Sequence, residues 1–335
     1  MIDRETLIST FLAEAGWGDA ARQALAGDAS ARRYERLSLG PGRAILMDAP
    51  PAAGESTERF ARMDRWLLGA GYSPPQILAE DHTRGLLLLE DLGDALFARE
   101  LEERPREESR FYTLATDFLV DLHAHTVPAF APPLLARGLA DLIAQVIDWL
   151  PRAMGQAPNP EASEIPVLIA RLFEALSDGQ VVLSLRDFHA ENLLWLPERP
   201  GLAALGLLDF QDAVATHPAY DLVSLLQDAR RDVTPETEAA MIARYAHVRG
   251  LDPDTFGAIY ALLGAQRALR IIGVFMRLAS RDGRLGYLRF VPRVWGTLQR
   301  DLCHPVLADL KEAVDGALPV PDISIVAANA EQLNA

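Results

Sequence analysis

LRDFHAENLL, residues 185–194, places an aspartate and an asparagine five positions apart inside an otherwise apolar run. The apolar segment VVLSL precedes this polar stretch, and a second apolar segment, ALGLLDF, follows it at residues 204–210. Short apolar runs bounded by polar turns are typical of buried strands. The pattern therefore predicts a strand, then a polar loop with Asp187 and Asn192, then a hairpin that ends at Asp209.

This order of polar residues matches the requirements of phosphoryl transfer from ATP. The reaction requires a carboxylate that takes the proton of the acceptor hydroxyl, and ligands for Mg²⁺ beside the phosphates. Protein kinases supply them from a D-x-x-x-x-N loop and from an aspartate before phenylalanine one hairpin later. Asp187, Asn192 and Asp209-Phe210 follow the same order. A D-x-x-x-x-N pair alone usually marks a solvated turn, but the flanking apolar runs favour the catalytic loop.

Composition limits the classes of protein that the chain can belong to. Its 335 residues are half hydrophobic, which is enough for two lobes or one large domain. The net charge of −15 weighs against nucleic-acid or anionic membrane partners. The single cysteine, Cys303, excludes an intrachain disulfide and fits a reducing compartment. With no signal-peptide pattern and no apolar run of about 18 residues, we expect a soluble cytoplasmic protein. The sequence does not determine its oligomeric state.

The sequence pattern predicts several strands within the first 93 residues. A helix is predicted over residues 4–15, and RRYERLSL and AILMDAP flank a GPGR turn as a hairpin. A helix over residues 56–68 and the two strands QILAED and GLLLLEDLG follow. The predicted first lobe, residues 1–93, is therefore small and β-rich.

Helical periodicity dominates the remainder, residues 94–335. Apolar residues recur at helical spacing over 111–124, 139–150 and 167–176, and long helices run from Tyr220 to about Leu310. The tail after Ala317 reads as irregular. We therefore predict an α+β, two-lobed protein-kinase-like fold with a small β-rich N-terminal lobe and a larger, mostly helical C-terminal lobe.

Several stretches resemble a known superfamily. LRDFHAENLLWL, LLDFQDAVATHPAYDLVSLLQD and LLLLEDLGD resemble the aminoglycoside phosphotransferase and choline kinase superfamily. Within it, GDASARRY, ILMDAPP and QRALRIIGVFMRLASRDG resemble the bacterial N-acetylmuramate/N-acetylglucosamine anomeric kinases of peptidoglycan recycling. The resemblance runs from about Thr6 to about Leu310. It implies a kinase that uses ATP and Mg²⁺ to phosphorylate the anomeric hydroxyl of an amino sugar.

The resemblance also implies roles for particular residues. Asp187 corresponds to the catalytic base and Asp209 to the main Mg²⁺ ligand. Asn192 corresponds to a metal ligand or a residue that orders the loop, and Asp221 to the buried aspartate that braces the catalytic loop. The interlobe hinge, where backbone groups meet the adenine, corresponds to Glu90, Asp91 and Leu92.

The chain departs from the superfamily at two positions. The loop commonly begins with histidine two residues before the aspartate, where this chain has Leu185. Met47 occupies the strand position at which kinases place the lysine that pairs with the α- and β-phosphates. Either Arg32 or Arg33 is the candidate replacement cation. Ser30 and the backbone N–H groups around it are expected to cradle the phosphates.

The acceptor side is less determined by the sequence. His189, Gln211 and Asp212 are candidate substrate contacts. Three arginines, Arg267, Arg270 and Arg277, either hold an acidic lactyl group or pair with surface acids, and surface pairing is the simpler expectation.

Two alternative functions remain open. One is a kinase of the same fold for another small alcohol, such as an aminoglycoside, choline or homoserine. The other is a non-catalytic nucleotide-binding module, which Met47 in place of lysine favours.

Overall fold

The computed structural model describes residues 3–25, 32–54 and 56–333. Numbered in chain order, the described helices are α1 (Arg4–Glu14), α2 (Thr57–Gly69), α3 (Phe97–Glu103), α4 (Glu108–Leu122), α5 (Ala136–Asp141), α6 (Ala144–Ala153), α7 (Glu164–Leu176), α8 (Ala219–Leu226), α9 (Pro235–Arg249), α10 (Pro253–Asp282), α11 (Val291–Asp301), α12 (Ala308–Ala317) and α13 (Ile323–Leu333). The described strands are β1 (Ala21–Ala24), β2 (Arg33–Leu39), β3 (Gly42–Asp48), β4 (Ile77–Asp81), β5 (Leu86–Glu90), β6 (Val182–Ser184), β7 (Leu193–Trp195), β8 (Leu205–Leu207) and β9 (Val214–Thr216).

The chain packs into two compact units, here called the sheet unit (residues 1–107 and 190–212) and the helical unit (residues 108–189 and 213–335). The sheet unit contains a five-stranded antiparallel sheet in the order β1-β2-β3-β5-β4. The predicted β2–β3 hairpin is confirmed, with Leu39 opposite Gly42 at the turn. The ribbon of β7 and β8 also belongs to this unit, and the Leu207 N–H donates to the Ser73 carbonyl at 3.0 Å.

One face of the large sheet carries the core of the sheet unit. Side chains alternate between the faces of a strand, so Leu46 and Leu88 point to one side, and Met47 and Leu87 to the other. Helix α1 packs Ile8, Phe11 and Leu12 against the face that contains Leu46 and Leu88. Burial of these apolar side chains fixes the register of β3 and β5 and thereby the side to which Met47 points.

Helix α10 is the centre of the helical unit, where it packs against α6, α8, α11 and α13. Gly273 is required for this packing, because a Cβ atom there would lie 2.4 Å from the Val146 backbone nitrogen. Helix α10 is also long and apolar enough to cross a membrane, but 83% of its apolar window is buried inside the protein. Such burial is typical of a core helix.

The structure differs from the sequence predictions at two places. The helix predicted over 139–150 is divided into α5 and α6, with a break between Asp141 and Ala144. The tail after Ala317, predicted as irregular, forms helix α13, which buries Val326 and Ala330 and packs against α6 and α10. The lobe boundary at Gly93 remains a prediction, since the packing units are divided differently: the sheet unit extends to Glu107 and includes the β7–β8 ribbon.

Candidate active site

In the helical unit, a buried carboxylate holds the backbone that leads to Asp187. Asp221 of α8 is fully buried and accepts hydrogen bonds from the N–H groups of Leu185 at 2.6 Å and Arg186 at 2.9 Å. The Ser184 hydroxyl, at the end of β6, donates to the same carboxylate at 2.7 Å. Burial raises the pKa of Asp221 to about 6. The three hydrogen bonds lower the pKa, but burial has the larger effect. Asp221 thus fixes two consecutive residues before Asp187.

The residue just before Asp187 has an unusual backbone conformation. Arg186 has φ 68°, in the left-handed region that costs free energy for a residue with a Cβ atom. Its N–H group is within hydrogen-bonding distance of both Asp221 and the Ser184 hydroxyl. Such conformations persist when surrounding contacts over-determine them, and these two contacts do so here.

Asp187 lies among positively charged side chains. Burial raises the pKa of its carboxyl, but the guanidinium groups of Arg267 and Arg270 outweigh burial, so the pKa lies below its usual value. The Arg267 Nη2 atom is 3.9 Å from Asp187 Oδ1, and the Arg267 side chain is only 8% exposed. Asp187 is therefore ionised at neutral pH, as a proton acceptor must be.

His189, two residues after Asp187, is buried in the helical unit. Burial lowers the pKa of its imidazole, so the ring is neutral at pH 7. The neighbouring Phe188 stacks on Phe118 of α4, with ring centroids 5.4 Å apart. This packing anchors the loop between Asp187 and His189 in the core of the unit.

In the sheet unit, the β7–β8 ribbon brings Asn192 and Asp209 to the same end. Leu193 pairs with Leu207, and the Leu208 N–H donates to the Asn192 carbonyl at 2.9 Å. Asp209 follows directly, with φ 55° and a side chain that is 45% exposed. Asn192 and Asp209 therefore lie at the same end of the ribbon, and each has a side-chain oxygen that can bind a metal ion.

Gln211 and Arg32 are among the side chains that lie next to the Asp209 carboxylate. Gln211 is buried and donates from Nε2 to Asp209 Oδ1 at 2.7 Å. Arg32 Nη1 lies 3.7 Å from the same oxygen, and the Arg32 side chain is only 10% exposed. Arg33 is exposed. Asp212 pairs with Arg59 at 3.2 Å.

Met47 and the predicted hinge residues occupy β3 and the end of β5. Met47 is 1% exposed and pairs with Leu87 across the sheet. Two arginines engage the hinge acids: Arg36 Nε is 2.8 Å from Asp91 Oδ2, and Arg199 binds Glu90. Leu92 is half-buried. The acidic side chains of the predicted hinge residues thus form ion pairs within the sheet unit.

The predicted site residues fall into two groups. The sheet unit contains Asn192, Asp209, Gln211, Asp212, Arg32 and the hinge residues, whereas the helical unit contains Asp187, His189 and Asp221. Ser30 lies outside the described residues. No cluster of three or more His, Cys, Asp or Glu side chains with the arrangement of a metal site occurs in residues 3–25, 32–54 and 56–333.

The expectation of surface pairing was wrong for Arg267, because the side chain is buried beside Asp187 rather than paired with a surface acid. Arg277 does lie near such an acid, 3.8 Å from Asp282. The sequence interpretation also missed Asp228, two residues beyond the end of α8 and 5% exposed. The only signal for Asp228 was its position in QDARRD, directly after the helix that contains Asp221.

A carboxylate loop in a helical unit and an Asn/Asp ribbon beside an antiparallel sheet are the parts of a kinase-like phosphotransferase. The model of the phosphotransferase enzyme family matches residues 21–257, and the chain belongs to this family. The predicted family resemblance and enzyme class are therefore confirmed.

Two bacterial relatives are similar over most of their lengths, and both are named N-acetylmuramate/N-acetylglucosamine kinase. The protein from Caulobacter vibrioides is 39% identical, with 95% of this chain and 98% of the relative covered. The protein from Pseudomonas aeruginosa is 34% identical, with 90% of each chain covered.

Solved structures share the fold at low sequence identity. A choline/ethanolamine kinase family protein from Mesorhizobium loti has a TM-score of 0.61 and 16% identity, covering 97% of this chain and all of that one. A mutant aminoglycoside 2′-phosphotransferase-IIIa in complex with GDP has a TM-score of 0.64 and 14% identity, covering 92% of this chain and all of that one. The predicted two-lobed α+β kinase-like fold is thus confirmed.

Proposed function

We propose that this protein transfers the γ-phosphate of ATP to the anomeric hydroxyl of N-acetylmuramate, N-acetylglucosamine or both, in the cytoplasm, during the recycling of cell-wall sugars. The names of the two bacterial relatives support the acceptor class. The observation that carries the proposal is the Asp187 loop, whose backbone is fixed by Asp221 and whose carboxylate the arginines keep ionised.

Asp187 is the general base in this proposal. As the anomeric oxygen attacks the γ-phosphorus, the Asp187 carboxylate accepts its proton, and the terminal phosphoryl group leaves ADP for the sugar. A base with a lowered pKa stays available throughout the neutral range. Asp221 acts through the loop, because its hydrogen bonds to Leu185 and Arg186 set the direction in which Asp187 points.

Asn192 and Asp209 fit the role of Mg²⁺ ligands. Both side chains offer oxygen atoms, and Mg²⁺ is usually held by one or two carboxylates together with substrate phosphates and water. A dedicated cluster of three acidic or histidine side chains is therefore not required. When bound, Mg²⁺ supplies positive charge to the β- and γ-phosphates.

Arg32, rather than Arg33, is the candidate for the missing lysine. Met47 has no charge and is buried, whereas Arg32 places a guanidinium close to Asp209. Arg33 is exposed. Ser30 precedes Arg32 by two residues and remains the candidate hydroxyl for the phosphates. The backbone of Glu90, Asp91 and Leu92 remains the candidate contact for the nucleotide base.

The charges around Asp187 favour a neutral or anionic acceptor. Arg267, Arg270 and Arg186 lower the pKa of the Asp187 carboxyl, and at His189 the charges of Arg230 and Arg267 oppose that of Asp228. A cationic acceptor such as choline or an aminoglycoside would be repelled by this group of arginines. An N-acetylated amino sugar is neutral, and its lactyl ether is anionic. His189, Gln211 and Asp212 remain candidate contacts of the acceptor.

The proposal is tested by incubating the purified chain with Mg·ATP and a panel of amino sugars, amino alcohols and aminoglycosides. Coupled detection of ADP identifies acceptors, and phosphorus NMR identifies the hydroxyl that carries the new phosphate. We expect an anomeric phosphate on N-acetylmuramate or N-acetylglucosamine. Phosphate on choline or an antibiotic alone would replace the proposal by another kinase. Nucleotide binding without any product would favour the non-catalytic module that Met47 permits.

A further inference from the structure

A small polar pocket lies within the helical unit, between α10 and α11 and beside the end of α8. Its empty space, including the part that is open to solvent, is about 250 Å³. The pocket has room for about one group of the size of a water molecule or a hydroxyl. The polar lining comes from Gln227, Asp228, Arg267, Arg293 and Thr297.

Asp228 has a carboxylate oxygen for which the described residues supply no hydrogen-bond donor. Oδ1 accepts from the Arg230 N–H at 2.8 Å, whereas Oδ2 is buried and makes no hydrogen bond within residues 3–25, 32–54 and 56–333. A buried acceptor without a donor costs free energy. The pocket therefore contains an acceptor atom that a ligand can satisfy.

Arg267 provides the complementary donor and connects the pocket to the catalytic base. Its Nε–H is buried and makes no hydrogen bond in the part of the chain that the structure describes. Nη1 donates to the Arg186 carbonyl at 3.3 Å, and Nη2 lies 3.9 Å from Asp187 Oδ1. Arg293 contributes less, because Asp232 and the Ala229 carbonyl already accept from its guanidinium. A group bound at Arg267 is consequently held close to Asp187.

A neutral hydroxyl satisfies both partners at once. It donates its hydrogen to Asp228 and accepts from Arg267 through an oxygen lone pair. A carboxylate in the same place would be repelled by Asp228, and an ammonium group would be repelled by Arg267. The pocket therefore selects a hydroxyl rather than the charged lactyl group.

We propose that this pocket binds one ring or exocyclic hydroxyl of the acceptor sugar, at C4 or C6, through Asp228 and Arg267. The assignment rests on the proposed function. These two hydroxyls are shared by N-acetylglucosamine and N-acetylmuramate, whereas the C3 oxygen of the latter is an ether. One pocket thus recognises both sugars and leaves the lactyl group outside.

The test compares wild type and Asp228→Asn on N-acetylglucosamine and its 4-deoxy and 6-deoxy analogues, with saturating Mg·ATP. For wild type, we expect one analogue to lose about 10- to 100-fold in kcat/KM, the usual effect of one hydrogen bond to a charged group. With the parent sugar, Asp228→Asn should have a kcat/KM that is lower than that of wild type by a similar factor. With the affected deoxy analogue, Asp228→Asn and wild type should have the same kcat/KM. KM for ATP should stay unchanged.

Asp254→Asn, an exposed substitution in the first turn of α10, is the control and should behave as wild type. If Asp228→Asn lowers kcat/KM equally for all three sugars, the pocket assignment is wrong. If wild type has the same kcat/KM for both deoxy analogues as for the parent sugar, the assignment is also wrong, whatever the variants do. Wild type without activity on either amino sugar would instead overturn the proposed function.

Discussion

Asp187 and Asp209 are the two aspartates on which the candidate chemistry depends, and their surroundings differ. Asp187 follows a backbone segment that Asp221 fixes, and arginines lower the pKa of its carboxyl. Asp209 ends a two-stranded ribbon with its side chain 45% exposed, in contact with Gln211 and near Arg32. Strong positioning suits a group that accepts one proton, whereas an accessible carboxylate suits a group that receives a hydrated cation from solution.

A shared feature of the two loops sharpens this difference. Each contains a residue with a Cβ atom and positive φ, Arg186 in one and Asp209 in the other. In the first loop the strained residue, Arg186, directly precedes the candidate base Asp187. In the second the strained residue is the candidate metal ligand, Asp209, itself. Backbone strain of this kind is concentrated at functional sites.

The largest effect is expected from Asp187→Asn. Loss of the general base should lower turnover by about 10²–10⁴-fold and leave nucleotide affinity nearly unchanged, because the base acts only as the acceptor proton leaves. Initial rates and nucleotide titrations of the same preparation measure both quantities. Near wild-type turnover would remove Asp187 from this role.

Asp209→Asn should lower turnover by roughly 10²–10³-fold and also weaken Mg·ATP binding, because a metal ligand acts in both the ground state and the transition state. Calorimetric titrations with Mg·ATP and with metal-free ATP check the second effect. If ATP binding by the variant depends on Mg²⁺ as strongly as in wild type, the Mg²⁺ site lies elsewhere, and Asp209 does not differ from Asp187 in the proposed way.

Arg32→Ala is expected to reduce turnover by about 30- to 1,000-fold, the loss from removing one preorganised donor to a transferring phosphoryl group. Arg33→Ala is the matched control and should retain most activity, because Arg33 is exposed, whereas Arg32 is only 10% exposed and lies beside Asp209. Steady-state kinetics with ATP as the varied substrate compare the two. Equal behaviour of the two variants would contradict the choice of Arg32.

Asp221→Ala should destabilise the protein by about 3 kcal/mol, because the Leu185 and Arg186 N–H groups lose a buried acceptor. Turnover of the folded fraction should fall by about 10-fold as Asp187 loses its fixed direction. Denaturant unfolding and rates normalised to folded protein separate these effects. Full activity in the folded fraction would limit Asp221 to a structural role.

Asp64→Asn should change stability and leave turnover unaffected. Asp64 is fully buried on α2, and neither carboxylate oxygen has a hydrogen bond within the described ranges. Burial raises its pKa to about 7, whereas the unfolded chain loses this proton near pH 4. The folded chain therefore binds more protons between these values, so wild-type stability falls as pH rises from about 4 to 7, by roughly 4 kcal/mol.

The amide has no proton to lose, so Asp64→Asn should remove this pH dependence. Denaturant unfolding at pH 5 and pH 8 compares the two proteins. The expected result is a variant that is more stable than wild type by about 1.5 kcal/mol at pH 5 and by about 4 kcal/mol at pH 8. An equal difference in stability between variant and wild type at the two pH values would contradict the raised pKa of Asp64.

Much of the sheet unit could be predicted from the sequence. The β2–β3 hairpin follows from two β-rich runs around a Gly-Pro-Gly turn, and α2 follows from its helical spacing after Ser56. These are local signals, since turn chemistry and periodicity act over a few residues. Helix α13 could not be predicted in this way, because its stability comes from burying Val326 and Ala330 against distant helices.

The sequence by itself determined which groups are candidates for the chemistry and in which order they occur. Asp187, Asn192 and Asp209 could be proposed because their spacing lies within one strand–loop–hairpin segment, where short-range geometry limits the conformations. The lack of a lysine at Met47 was likewise visible without coordinates. The net negative charge of the chain, by contrast, did not indicate that arginines surround Asp187.

Only the tertiary structure decided which distant side chains surround those groups. Arg267 is 80 positions from Asp187, and periodicity alone did not distinguish it from Arg277 on the same helix. The packing of α10 in the helical unit buries the first beside Asp187 and leaves the second near Asp282. The same packing places Asp228 and Arg267 on one pocket. Contacts of this kind depend on how helices pack, which side-chain volumes across the whole unit determine together.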